Sequence, residues 1–531
     1  MTQNKKNFTS EIDWAFLLFI IGATYVKLYV KVAAIILYSA YVIYNRYNKP
    51  SANGFGKFYF IMPVIGTIGS FLHHSFEADG YWFAYVMSVL NWVMAGGIIY
   101  LLSSTVQTLQ QKKIYATIKA FFFINAIFSL GELGKMIIDS GQLMPYWYWE
   151  PTEYYGGSTG DHIKGITGHI SVTNATINAI AALYFTYKKE MKWAALTLLI
   201  LLLCTSNVTL ILLMVMFIAM LILVKDKQVK VHTLYALLMI GVVYPFLSLN
   251  NIKYVEHVYN RETVDSTKVE AEKQSYSLAS KREKEYFDYG TEVSATQKFE
   301  LDKGSKYRMK KNDTSLISYK DDLKYMKQLG LLKSKNNTNL LMEPGDLKNT
   351  IEHWYGTQYS KTPLSYNNSL VKLYTFKQTL FYLTTSKKNL LFGAGIANFS
   401  SKQAIKATGL GLQGSYPVQY VYVSNDFLAY HLYSLLYVFS MPISEHSIIN
   451  MPNSIYNQVG GEYGLAGILA FLLLYIGYIL KHYKKLKAAL YLTPLFMMFL
   501  GFEYWFETLS LTVIFELLIL MDIYNKQDEP A

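Results

Sequence analysis

The sequence predicts an all-α polytopic membrane protein, with about twelve transmembrane helices and one large, mainly helical extracytoplasmic insert. Of its 531 residues, 52% are hydrophobic and 16% are charged. Apolar runs long enough to cross a bilayer recur along the chain. Roughly half of all Lys, Arg, Asp and Glu residues lie between positions 251 and 390, and short basic clusters punctuate the remainder.

Twelve apolar segments are candidate transmembrane helices, because about 20 helical residues cross the ~30 Å hydrocarbon core of a bilayer. The run from Trp193 to Val224 is too long for one span, and we divide it at the polar residues beside Ser206. The predicted spans are residues 14–28, 29–45, 57–74, 81–104, 114–138, 169–187, 193–205, 207–224, 230–249, 455–480, 487–504 and 508–523.

Basic clusters predict the orientation of these spans. Each cluster follows an even-numbered span, and Lys and Arg are enriched in cytoplasmic loops. Both termini are therefore expected in the cytoplasm. Residues 1–249 would hold nine spans and an outer aromatic loop at 139–168. Residues 250–454 would form the extracytoplasmic (periplasmic) domain, and residues 455–531 the last three spans and a cytoplasmic tail.

The sequence lacks the motifs that are typical of several function classes. The chain has no phosphate-binding Gly-x-x-x-x-Gly-Lys-Ser/Thr loop and no His-Glu-x-x-His zinc motif. Because the chain has one cysteine, Cys204, a cysteine-based metal cluster is excluded. The net charge of +12 comes from span ends and a mixed-charge insert, which indicates membrane lipids rather than nucleic acid as the partner. No metal and no cofactor is expected.

Four local patterns stand out, each beside a predicted span or in the outer insert. They combine glycines with single polar residues, as backbone turns and binding loops do. The patterns are Lys164-Gly165-Ile-Thr-Gly168 with Asn174; Cys204-Thr-Ser206-Asn207; Phe392-Gly393-Ala-Gly395-Ile-Ala-Asn398-Phe399; and His446, then Pro452-Asn453-Ser454, then Gly461-Glu462-Tyr463-Gly464-Leu-Ala-Gly467.

In this order, the four patterns resemble the O-antigen ligase and O-antigen polymerase superfamily over roughly residues 164–480. The resemblance implies an all-helical fold related to C-type glycosyltransferases, in the bacterial cytoplasmic (inner) membrane. It also implies metal-independent transfer of glycan from undecaprenyl-diphosphate-linked oligosaccharide at the outer face. The acceptor would be another lipid-linked repeat in a polymerase, or the lipid A core or another acceptor glycan in a ligase. The sequence leaves both open.

The chain departs from the family pattern at two positions. Ser206-Asn207-Val208 stands where the family has Ser-Arg-Gly, and Pro452-Asn453 stands where it often has His-Asn. The diphosphate of the donor requires cationic partners, so other basic residues must replace the missing arginine. The candidates are Lys164, Arg261, Arg282, Arg308 and lysines such as Lys402.

Glycosyl transfer also requires a base that takes the proton of the acceptor hydroxyl. His446 is the first candidate and His431 the second, because the pKa of histidine lies near neutrality. Glu462 would orient that base or bind a sugar hydroxyl. Asn174, Ser206, Asn398 and Asn453 are candidate substrate contacts, although each residue type also suits a helix cap or loop.

Two further interpretations remain open. Carboxylates within or beside apolar spans favour a polysaccharide flippase or other secondary transporter, because charges there are costly and often functional. The asymmetric insert and the lack of hydropathy symmetry between the two halves argue against this class. A non-catalytic relative is the other interpretation, since the family's arginine is missing. The carboxylates are Glu132, Glu503, Glu507 and Glu516.

Overall fold

The computed structural model describes residues 11–143 (except 49, 51, 52 and 79), 145, 163–247, 371–408, 416–435 (except 433) and 451–524. Within these residues the secondary structure is helical throughout, and no strand is present. Most of the aromatic loop and the greater part of the predicted outer domain lie outside the described residues.

Fifteen helices of six or more residues form the described part of the fold. They are α1 Trp14–Thr24, α2 Leu28–Tyr44, α3 Gly54–Leu72, α4 Tyr81–Thr108, α5 Gln111–Ser140, α6 Ser171–Tyr187, α7 Met191–Leu203, α8 Asn207–Leu223, α9 Lys227–Leu247, α10 Val371–Thr384, α11 Lys387–Phe392, α12 Lys402–Ala407, α13 Ile455–Lys481, α14 Ala488–Phe499 and α15 Ser510–Ile523.

Each of the twelve predicted spans falls on one of these helices. The largest difference is at the end of α14, which stops at Phe499 rather than at residue 504. Five helices, α3, α4, α5, α9 and α13, are long and apolar enough to cross a membrane, judged by length and composition. Others, such as α1 and α2, are apolar but shorter. The all-helical prediction is confirmed for the described residues, and five of their helices are candidate membrane spans; the count of twelve stays a prediction.

Helices α6 and α15 form the centre of the bundle, and nearly all of their residues are buried. Helix α6 packs against α7, α8, α9, α14 and α15. Helix α15 also contacts α1 and α4. The outer helices expose apolar stripes on the opposite face, as helices that contact lipid do. On α8 the stripe is Ile211, Val215, Ile218 and Ile222.

The two ends of the bundle differ in their polar contacts. At one end, residues of the basic clusters pair with carboxylates: Lys188 Nζ lies 3.2 Å from Asp522 Oδ1, and Lys189 Nζ lies 2.6 Å from Asp226 Oδ2. At the other end, the α1–α2 turn contacts the loop before α6, where Val26 N donates to Thr167 O at 2.9 Å. The segments that meet at each end are those that the sequence predicts on one side of the membrane.

A glycine-rich loop, residues 393–399, packs against α3 and α13 at this second end of the bundle. Ala394 N donates to Gly461 O at 2.8 Å, and Gly395 N donates to Glu462 O at 3.0 Å, where α13 is interrupted. A Cβ atom on Gly395, whose φ is +89°, would lie 2.5 Å from the backbone nitrogen of Ser70 on α3. The third and fourth sequence patterns are therefore in contact, and glycine is required for their close approach.

We expect Gly395→Ala to lower the free energy of unfolding by more than about 2 kcal/mol, because alanine strains a positive φ and meets α3. Gly241→Ala on α9 is the matched control, since its Cβ meets nothing within 4 Å. Alanine there should stabilise the helix by up to about 1 kcal/mol. Thermal unfolding of the two purified variants measures both effects, and equal stability would contradict the tight docking of the loop.

Candidate functional site

Four lysines surround His169 at the end of the bundle where the glycine-rich loop docks. They are Lys31, Lys164, Lys402 and Lys406, and all four act electrostatically on His169. Lys402 is the nearest, with Nζ 3.3 Å from His169 Nε2. We refer to the four lysines and His169 as the basic cluster. Its members come from α2, the loop before α6, and α12, so the fold collects them from three distant parts of the chain.

Local backbone contacts fix the positions of these lysines. Lys31 lies in the first turn of α2 and its ammonium donates to Thr508 O, so it is held against the turn that precedes α15. Lys402 opens α12, where Ser401 Oγ caps the helix by accepting from Ala404 N at 3.1 Å. Because Ser401 lies two residues after the glycine-rich loop, docking of that loop sets the position of Lys402.

His169 is neutral and its tautomer is defined by its neighbours. A lysine ammonium can only donate hydrogen bonds, so Nε2 of His169 accepts from Lys402. Nδ1 therefore carries the hydrogen and donates to Thr173 Oγ1, 2.8 Å away. Burial, and then the charge of Lys402, hold the pKa of His169 well below its usual value. The neutral imidazole thus accepts a hydrogen bond from a lysine and adds no positive charge to the cluster.

Two carboxylates border the cluster without neutralising it. Glu507 Oε2 accepts from the backbone N–H of Lys402 at 2.7 Å. Glu503 accepts from Tyr504 N at 2.9 Å. Within the part of the chain that the structure describes, none of the four ammonium groups has a carboxylate oxygen within 4 Å. The four lysines therefore outnumber the two carboxylates that border them.

This excess of charge is unfavourable in the absence of a ligand. Burial is the main cause that lowers the pKa of Lys402 to about 8; the charge of Lys406 acts in the same direction, and Glu503 and Glu507 act against it. Burial is also the main cause of the lowered pKa of Lys406. A multivalent anion would supply charge-assisted hydrogen bonds to these ammonium groups and offset their repulsion. Among the described residues, no group of three or more His, Cys, Asp or Glu side chains is placed to hold a metal ion.

Of the predicted cationic candidates, the structure brings Lys164 and Lys402 together. Arg261, Arg282 and Arg308 lie outside the described residues, as does His446. The second histidine candidate, His431, is fully buried, and its Nε2 lies 2.9 Å from Thr379 Oγ1 and 3.1 Å from Thr375 O. Burial lowers its pKa to about 3. His431 is therefore held neutral between hydroxyl and carbonyl groups of α10.

The side chain of Asn174 is occupied by protein partners. Its Nδ2 donates to Ser129 Oγ at 3.0 Å and to Ile163 O at 3.2 Å. Its Oδ1 accepts from Asn125 and from Asn178. These bonds hold the loop that carries Lys164. A substrate contact by Asn174 stays a prediction, and its described bonds support the basic cluster indirectly.

Asn398 and Ser206 also make contacts within the protein. Asn398 Nδ2 donates to Ser75 Oγ at 2.9 Å and its Oδ1 accepts from Tyr422 OH at 2.6 Å, which ties the glycine-rich loop to two other segments. Ser206 precedes α8, and its hydroxyl lies 2.9 Å from Thr209 Oγ1. Both residues have structural roles here, and their roles toward a substrate stay predictions.

Two further predicted site residues belong to α13 and its start: Glu462 lies within the helix, and Asn453 lies just before it. Glu462 is 1% exposed and accepts from Phe399 N at 3.3 Å, so it binds the backbone just before Lys402. Asn453 Nδ2 is 3.5 Å from Glu503 Oε2. A catalytic role for Glu462 stays a prediction. Its contacts place it against the segment that positions Lys402.

Sequence reasoning missed Lys31, Lys406 and His169. A cue existed for Lys31, which interrupts the second apolar run at a position where charge is costly. His169 and Lys406 carry no comparable cue, because only tertiary contacts bring them to Lys402.

We expect Lys402→Met to stabilise the unliganded protein. The folded state binds the Lys402 proton more weakly than the unfolded state does, because the pKa falls from 10.5 to about 8. The penalty is complete below pH 8 and disappears as the pH rises from about 8 to 10.5. The variant should therefore gain up to about 3 kcal/mol at pH 7, and the gain should shrink above pH 8.

Unfolding of purified protein in detergent between pH 6.5 and 10 measures this difference. Lys188→Met is the control, because Lys188 pairs with Asp522 and its loss should destabilise the protein. A Lys402→Met protein less stable than the unsubstituted protein at pH 7 would contradict an unneutralised cluster.

No family model, no curated protein and no solved structure matches this chain.

Proposed function

We propose that the chain is a membrane glycosyltransferase of bacterial surface-polysaccharide assembly. It would take glycan from undecaprenyl diphosphate at the outer face of the cytoplasmic membrane. It would pass that glycan to another lipid-linked repeat, as a polymerase, or to the lipid A core or another acceptor, as a ligase. The observation that carries the proposal is the basic cluster, in which four lysines act electrostatically on His169 and none has, among the described residues, a carboxylate oxygen within 4 Å of its ammonium nitrogen.

A diphosphate suits this cluster in charge and in chemistry. It is compact, multiply negative and rich in hydrogen-bond acceptors, as a group of ammonium donors requires. In glycosyl transfer the diphosphate is also the leaving group, and negative charge develops on it as the glycosidic bond breaks. Fixed cations stabilise that charge in the transition state more than in the ground state. Lys31, Lys402 and Lys406 would supply what the arginine supplies in the resembling family.

The location of the cluster suits a lipid-linked substrate. It lies at the helix ends, beside the α1–α2 turn and the turn before α15, rather than in the middle of the apolar bundle. A polyprenyl chain could therefore stay along the apolar stripes of the bundle while its diphosphate reaches the lysines. The base that deprotonates the acceptor hydroxyl would be His446, with Glu462 acting through the loop that it binds.

We expect deletion of the gene to change the surface glycan. Build-up of single lipid-linked repeats would identify a polymerase, and build-up of long lipid-linked polymer would identify a ligase. Complementation with Lys402→Met plus Lys406→Met, or with His446→Ala, should fail, because the first removes the diphosphate contacts and the second removes the base. Gel analysis of the glycan and of extracted lipid-linked sugars is the measurement.

The control for this complementation is Lys481→Met, an exposed lysine at the other end of α13, which should restore the glycan fully. An unchanged glycan after deletion would count against the enzyme in both forms. Full rescue by the double lysine variant would remove the role of the cluster, and full rescue by His446→Ala would remove the assigned base.

The proposed orientation can be tested with cysteine labelling. The one native cysteine, Cys204, is buried, so it should give little background. A membrane-impermeant maleimide should label Lys387→Cys from outside intact spheroplasts, because the proposed orientation places that exposed residue on the outer side. Lys484→Cys, exposed at the opposite end of the bundle, should react only after lysis. The reverse pattern would place the basic cluster in the cytoplasm, where this donor glycan is not transferred.

A flippase for the same lipid-linked glycan is the second candidate, because it too would bind a diphosphate. In the sequence the carboxylates within apolar spans favour a flippase, but their contacts in the structure weaken that argument. Glu516 accepts from Tyr59 OH at 2.5 Å and from Tyr475 OH at 2.8 Å, which accounts for one of them as a structural bridge. Deletion of a flippase would leave single repeats on the cytoplasmic leaflet, whereas deletion of a polymerase would leave them on the outer leaflet.

A further inference from the structure

Two buried amide side chains near the basic cluster have polar atoms without partners. Gln458 is 1% exposed and Asn453 is 4% exposed. Within the described residues, neither Nε2 nor Oε1 of Gln458 makes a hydrogen bond, and Oδ1 of Asn453 makes none either. Each buried polar group left in this way costs about 1–3 kcal/mol. Unpaired buried polar atoms also occur elsewhere among the described residues, but these three belong to two residues that lie five positions apart at the start of α13.

The position of Gln458 on α13 places its side chain toward the glycine-rich loop. Gln458 lies one helical turn before Glu462 and therefore on the same face of α13. Glu462 binds the backbone of Phe399, three residues before Lys402. On the same side, Ser400 Oγ lies 2.9 Å from Tyr504 OH. The free amide of Gln458 thus faces the region between the glycine-rich loop and the residues before α15.

Asn453 borders the same region and is held rigidly. Lys372 on α10 donates to Asn453 O at 2.7 Å and to Met451 O at 2.9 Å. The Asn453 amide nitrogen lies 3.5 Å from Glu503 Oε2, which leaves its oxygen without a partner. A segment fixed in this way presents its side chain in a preorganised position, as a binding residue requires.

The chemistry of these groups indicates an uncharged, polyhydroxylated ligand. An amide both donates and accepts, and so does a hydroxyl group, whereas a diphosphate only accepts. Glu503 and Glu507 can accept further hydroxyl hydrogens. Aromatic surface is also present, since Phe502 lies beside Lys372 with Nζ 5.5 Å from the ring centroid. These features are typical of sites that bind sugar rings.

We propose that Gln458 and Asn453 form a binding site for the hydroxyl groups of a sugar, next to the basic cluster that holds its diphosphate. The inference deepens the proposed function and rests on it. The glycan of the substrate would complete the hydrogen bonds that the free protein lacks. The two amides would therefore distinguish glycosylated polyprenyl diphosphate from the bare lipid, while the lysines would bind both.

The test compares Gln458→Met with the unsubstituted full-length protein in nanodiscs. The probes are the lipid-linked oligosaccharide extracted from host membranes, and separately prepared undecaprenyl diphosphate, which carries no glycan. Methionine keeps the length of the side chain and removes the unpaired amide. We expect the unfolding midpoint of the free variant to rise. Its affinity for the glycosylated lipid should fall about tenfold, and its affinity for the bare lipid should not change.

Asn457→Leu is the matched control on the same turn. Asn457 has satisfied amide atoms, accepting from Thr379 Oγ1 at 3.0 Å and donating to Pro452 O at 3.1 Å, so its loss should lower the unfolding midpoint. A Gln458→Met protein that is destabilised and binds the glycosylated lipid normally would overturn the sugar site and indicate a water-filled polar core. If the unsubstituted protein binds neither lipid, the proposed function itself fails. If it binds both lipids equally, only the sugar site fails.

Discussion

The backbone hydrogen bonds between the glycine-rich loop and the interrupted start of α13 are the interaction on which the rest of the described structure depends. Ala394 and Gly395 donate to the carbonyls of Gly461 and Glu462. A Cβ atom on Gly395 would collide with the backbone of Ser70, and one on Gly461 would collide with the ring of Phe399. The loop therefore has one possible position. Lys402 lies three residues after the loop, so the geometry of the basic cluster depends on these backbone contacts.

The basic cluster lowers the stability of the folded protein. Burying ammonium groups beside one another opposes folding, and the lowered pKa of Lys402 expresses that cost. A protein selected only for stability would replace at least one of these lysines. The unpaired amides of Gln458 and Asn453 add a cost of the same kind a short distance away. Polar groups that are unfavourable without a ligand, and that lie together, are typical of a binding site that has been optimised for its occupant.

Hydropathy was sufficient to predict the positions of the helices, because each apolar run has to form its hydrogen bonds internally in lipid. The division at Ser206 was correct, since α7 and α8 are separate helices there. The site was less predictable. Lys402 could be named from its charge, but Lys31 lies 371 residues earlier in the numbering and only the packing of α2 brings it near. Asn174 and Asn398 show a second difficulty, because an asparagine that organises a loop and one that binds a sugar look the same in a sequence.

The shortness of the first hairpin affects how the surrounding bilayer meets the site. Helix α1 has 11 residues, which at 1.5 Å per residue makes it about 16 Å long. That is roughly half the thickness of the hydrocarbon core. A short span is accommodated by thinning of the adjacent membrane. If α1 spans the bilayer as the sequence predicts, lipid headgroups beside the α1–α2 turn would lie closer to the level of Lys31, and the proposed lipid-linked donor would reach the lysines without leaving its leaflet.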